Sequence, residues 1–131
     1  MSALAATVAA LRADSGVTDL TGDSGVVPME APQGERPPIV VVDVVSEVDG
    51  RTFDGADEYP DTRVQLSCLD RSPHGADRLA EACVVALQNL GGTFAGRECV
   101  FRRAETRYAD ASPRSSIYRV VVDFYCMHRA A

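Results

Sequence analysis

The hydrophobic period of this chain changes once inside a single stretch, Thr62 to Leu90, and that change constrains the fold more than any other feature. Val64, Leu66 and Cys68 alternate with Arg63, Gln65 and Ser67, the period of two that a half-buried strand shows. From Ala76 the spacing becomes three and four through Leu79, Ala80, Cys83, Ala86, Leu87 and Leu90. That places these residues on one apolar helix face, with Asp77, Arg78, Glu81, Gln88 and Asn89 mostly opposite it. The ends carry their own signals. Ser72 is a good N-cap, Pro73 suits the first helical position, and Gly91-Gly92 reads as the helix stop. A capping box is absent, because Gly75 stands three residues after Ser72.

The remaining elements are placed around that unit. Ser2 to Arg12 reads as a short helix with Leu4, Val8 and Leu11 on one face among many alanines. Asp14 to Gly25 reads as a loop with one helical turn near Val17–Leu20, and Val26-Val27 begins a short strand. The prolines and glycine of residues 31–38 forbid regular structure. Ile39 to Val45 is rich in β-branched residues and interrupted only by Asp43, so it reads as a strand covered on both faces. A polar connection, Glu47 to Asp61, leads into the central unit. After it come strands from Glu98 to Tyr108 and from Ile117 to Met127, joined by a turn at Asp110 to Ser116 as a hairpin. The arginine-rich distal end of this hairpin is too polar for a core, so the sequence predicts that it projects from the body.

The order helix, strand, strand, helix, strand, strand predicts an α+β fold. It is a two-layer sandwich of about four mostly antiparallel strands with two helices on one face and a projecting C-terminal β-hairpin. With 131 residues the chain reads as one domain, residues 1–131. At this length it buries a core without metal or disulfides. Its apolar runs are too short to span a membrane, and its beginning lacks the basic flank and apolar stretch of a signal peptide. The expectation is synthesis and folding in the cytoplasm.

Residues that carry chemistry are scattered. The four cysteines, Cys68, Cys83, Cys99 and Cys126, form no metal-ligand spacing. Each lies in an apolar pattern and reads as a small buried thiol. Gly22-Asp23-Ser24-Gly25 copies the short signature around a trypsin-like nucleophile, but His74 and His128 both follow it, whereas that protease order places histidine first. A plain turn explains it. The acidic residues 54–61 do not match a calcium loop, and no glycine loop cradles a phosphate. The sequence therefore predicts no catalytic residue, no metal site and no cofactor.

Charge is distributed unevenly. Residues 1–61 hold three Arg against twelve Asp and Glu, a net of −9, while residues 62–131 hold ten Arg against seven acids, a net of +3. Interleaved acids and an acidic total work against tight nucleic-acid binding. The asymmetry suits head-to-tail contact between copies, which closes into a ring when the rotation allows. On this reading the interface residues are Asp54, Asp57, Glu58 and Asp61 before the central strand and Arg102, Arg103, Arg107 and Arg114 in the last hairpin.

Several stretches occur in a particular order: Ala31-Pro32-Gln33-Gly34, Pro37-Pro38 into IVVV, Arg63-Val64-Gln65-Leu66, the helix ADRLAEACVVAL, and YRVVVDFY from Tyr118 to Tyr125. This ordered set, with the short N-terminal helix, resembles the tail-completion (tail-terminator) family of long-tailed bacteriophages and gene transfer agents over nearly the whole chain. The resemblance implies a non-enzymatic virion protein that caps the head-proximal end of the tail tube as a ring, usually of six copies. Its implied partners are further copies of itself, the tail tube protein and the head–tail connector protein, with DNA passing through the ring unread. This chain departs from the family pattern in the unusually acidic loop before the central strand, which in such a ring would place an acidic surface in the lumen that repels DNA. The alternatives are another head–tail connector or minor tail component, or a small ligand-binding domain or enzyme, which would need a pocket with convergent polar groups.

Overall fold

The computed structural model describes residues 2–22, 25–28, 37–48, 51–52, 55–56, 61–112 and 117–128. In chain order the elements are α1 (Ser2–Arg12), α2 (Ser15–Thr21), β1 (Val26–Pro28), β2 (Ile39–Val48), β3 (Arg51–Thr52), β4 (Gly55–Ala56), β5 (Asp61–Asp70), α3 (Pro73–Leu87), β6 (Gly91–Phe94), β7 (Arg97–Ser112) and β8 (Ile117–His128). Six strands form one sheet in the order β1-β2-β5-β8-β7-β6, while β3 and β4 pair only with each other. The β1–β2 pair is parallel and the other pairs of the large sheet are antiparallel.

The fold class is the expected α+β sandwich, with three corrections. The sheet has six strands where about four were expected, because β1 and β6 extend it at its two edges. Three helices, not two, pack on one face: α2 is a full element whose Val17 is completely buried in the same core as α1 and α3. The C-terminal hairpin does not project. β8 pairs with β5 from Asp61↔Met127 to Asp70↔Tyr118, so its backbone is satisfied on both sides and it lies inside the sheet.

The central strand and helix form as their pattern dictates. Ser72 caps α3, its hydroxyl accepting from the Gly75 amide at 2.9 Å, and Pro73 opens the helix. Ala76, Leu79, Ala80, Cys83, Val84 and Leu87 are buried against the sheet. The helix stops one turn early, at Leu87. Asn89 takes the left-handed conformation (φ 57°) that reverses the chain, which frees Gly91 and Gly92 to begin β6. Ala95 and Gly96, both at positive φ, then form the two-residue turn of the β6–β7 hairpin.

The core lies between the helices and one sheet face, where Val40, Val42, Val64, Leu66, Cys68, Phe101, Val122, Phe124 and Cys126 point inward. Ile39 and Val41 are buried on the opposite face with Val27, so β2 is covered on both sides as its composition implied. The alanines of α1 have the most consequential role. This helix touches α2, α3 and all six strands of the sheet. Ala3, Ala6 and Ala10 are buried together with Leu4, Val8 and Leu11, so burial extends well beyond the single stripe of the sequence reading. Thr7, also fully buried, donates its hydroxyl to the Ala3 carbonyl at 2.7 Å and leaves no polar atom stranded. Small side chains let sheet and helices approach α1 from several directions. Replacing Ala6 with Leu should therefore lower the unfolding free energy by about 2 kcal/mol through overpacking, read by urea denaturation. A helix buried on one stripe alone would tolerate that change.

Candidate assembly surface

The two edges of the sheet differ chemically. On β1, Val40 donates to the Gly25 carbonyl at 2.7 Å. In a parallel ladder this turns the Val26 and Pro28 backbone groups away from β2. The Arg12 guanidinium covers that edge, donating to the Val26 carbonyl from Nη2 at 2.8 Å and from Nε at 3.2 Å. Pro28 has no N–H to offer. This edge is closed in the way natural sheets suppress unwanted strand pairing.

Among the described residues, nothing protects the β6 edge in this way. Phe101 donates to the Leu90 carbonyl at 2.8 Å, which fixes the phase of the β6–β7 ladder. Gly92 and Phe94 then face β7, while the amides and carbonyls of Gly91 and Thr93 point outward. Gly91, Gly92 and Thr93 are exposed. Beside this edge, Val100 is 53% and Met127 36% exposed, in one cross-strand row with Gly91 and Asp61. With Gly92, Thr93, Glu98 and Cys99 they line a groove of about 460 Å³.

Next along the same sheet face is a row of Arg63, Tyr125 and Arg102 on β5, β8 and β7. The Arg102 guanidinium lies 5.0 Å from the Tyr125 ring centroid, a cation–π distance. Arg63 donates from Nε (3.0 Å) and Nη2 to Oδ2 of Asp123. Asp123 is buried, only 5% exposed, and its Oδ1 has no partner among the described residues. The hydrogen bond and charge of Asp123 raise the Arg63 pKa further. Asp123 shares a row with Gln65 and Asp43 at the point where β7 bulges between Arg103 and Arg107. Burial raises the Asp43 carboxyl above its ordinary value.

The charged residues singled out from the sequence are only partly placed. Arg102 and Arg103 are exposed on β7 close to the open edge. Arg107 lies on β7 beyond the bulge and Asp61 opens β5, each defined by its backbone. Asp54, Asp57, Glu58 and Arg114 lie outside the described residues. The sequence reading missed the Arg63–Asp123 pair. Its signal was present, an aspartate inside the otherwise apolar alternation of β8, but the partner stands 60 residues away and only strand order joins them. It also missed Arg12 as the cover of β1. No group of three His, Cys, Asp or Glu suited to a metal occurs among the described residues.

A small α+β domain whose β1 edge is sealed, whose β6 edge is open among the described residues, and whose Arg63–Asp123 ion pair is built into the sheet has the features of an assembly subunit. The chain matches the family described as tail completion protein gp17 over residues 5–129 and belongs to that family, a class of viral tail structural proteins. Its fold is also that of a chain in the solved virion of a native gene transfer agent particle. The TM-score is 0.78 at 16% identity, covering 95% of this chain and 92% of the other. No curated protein matches it.

The ion pair makes a measurable prediction. Arg63→Met leaves the buried Asp123 without its counter-charge and should lower the urea midpoint more than Asp123→Leu does. The double variant should recover most of the loss, because removing both charges removes the desolvation cost as well.

Proposed function

We propose that this chain is a ring-forming subunit that closes the head-proximal end of a tail tube, stops its growth and presents a surface to the head-side connector. Membership of the tail-completion family over residues 5–129 carries this reading. The charge distribution supports it: a net of −9 in residues 1–61 against +3 in residues 62–131 favours head-to-tail contact between copies. The acidic group Asp54, Asp57, Glu58 and Asp61 of one copy would face Arg102, Arg103, Arg107 and Arg114 of the next. The ring would be a hexamer, with the tail tube protein on one side, the connector on the other and DNA passing through without base recognition.

Edge chemistry limits how such a ring is built. Because Arg12 and Pro28 close the β1 edge, copies do not add sheet to sheet in a polar series. Side-chain contacts join them instead, and the β6 edge remains for an extended segment of a neighbouring tail protein.

Deleting the gene and imaging particles by negative stain should reveal over-long tails or heads without tails. Normal particles would refute the reading. In complementation, Arg102→Glu with Arg103→Glu should leave the melting temperature nearly unchanged yet lower the yield of complete particles by about tenfold or more, since like charges then meet across the contact. Thr93→Pro removes only an outward-facing N–H. It should spare the fold and reduce joining of tails to heads if the β6 edge pairs with another strand.

A further inference from the structure

We propose that Cys68 and Cys83 are a disulfide-forming pair, a modification site that covalently fixes α3 to β5 under oxidising conditions. Cys68 sits on the helix-facing side of β5 and Cys83 on the buried face of α3, and both are completely buried. Their sulfurs are 4.0 Å apart in S–H···S contact, 15 residues apart in sequence. A disulfide needs about 2.05 Å between sulfurs, so closure requires an approach of about 2 Å, within reach of side-chain rotation and a slight shift of the helix. The other two cysteines are arranged differently. Cys99 pairs in register with His128 and Cys126 with Phe101, so these thiols lie diagonally on adjacent strands rather than across a helix–sheet contact.

The chemistry balances with a disulfide oxidant such as oxidised glutathione. One protein thiolate attacks the oxidant and releases one glutathione thiolate. The second protein thiolate then attacks the protein sulfur of the mixed disulfide and releases the other. Two S–H bonds are lost, one S–S bond forms, and the oxidant leaves as two reduced thiols. The hydrogen-bonding contact with Cys68 and burial push the Cys83 thiol pKa well up, so the thiolate is scarce while α3 is docked. The bond therefore forms fastest before α3 packs, or during its transient opening, and is shielded once closed. Closing a loop of this length constrains the unfolded chain and should raise the melting temperature by on the order of 10 °C.

The test uses the full chain. It is refolded in a mixture of oxidised and reduced glutathione, alkylated, and analysed by intact mass and non-reducing digestion, in parallel with folded protein exposed to oxidised glutathione. The expected product has lost two hydrogens, retains two alkylatable thiols and yields a Cys68–Cys83 linked peptide as the main crosslink. It forms faster in the refolding arm than in the folded arm and melts at higher temperature. Four alkylated cysteines in both arms, or a crosslink mainly through Cys99 or Cys126, would overturn the proposal. Cys83→Ala should abolish the link. The decisive measurement is made on the unsubstituted protein, so it holds even where that variant folds poorly.

Discussion

Much of this structure depends on the enclosure of one helix by nearly everything else. α1 meets the helix-facing side of all six strands of the large sheet, and α2 and α3 pack against it as well. That arrangement accepts only small or well-fitted side chains, which accounts for Ala3, Ala6 and Ala10 standing among Leu4, Val8 and Leu11. It also determines where function is exposed. With the inner side of the helical layer committed to α1, surface for a partner lies on the opposite sheet face, at the sheet edges and on the outer face of α3, where Val85 is exposed.

Those edges are unequal, and Arg12 links their inequality to the core. The residue that ends α1 reaches over to cap the Val26 carbonyl, so the packing that buries the helix also seals β1. Among the described residues the β6 edge has no such cover, and an apolar shelf of Val100 and Met127 lies beside it, with Arg102 and Arg103 nearby. Arg12 and Pro28 therefore disfavour strand addition at β1. On the same face, Arg63 and Asp123 hold β5 and β8 in register by a charge pair that would be costly to break from one side.

Local pattern was a good guide wherever a segment's burial was simple. The strand–helix unit, the Ser72 cap, the doubly covered β2 and the last two strands were all legible. Errors arose where a residue served a distant partner. Gly91-Gly92 looked like a helix stop because glycine commonly plays that part, yet Asn89 reverses the chain and the glycines join a hairpin. The arginine-rich half of β7 looked too polar for the body, yet β8 carries that hairpin along the full length of β5. Polar side chains do not keep a strand out of a sheet when its backbone is paired and one face is open to water.

The sequence by itself determined the periods, the caps and the class, an α+β domain with small buried thiols. Its ordered motifs also pointed to the tail-completion family that the comparison of residues 5–129 then established. Tertiary structure decided which edge is open, which aspartate meets which arginine, and that Cys68 faces Cys83. The physical reason is that periodicity is a property of neighbours along the chain, whereas edges, ion pairs and thiol contacts arise from strand order. Strand order is set when the whole core, α1 included, closes at once.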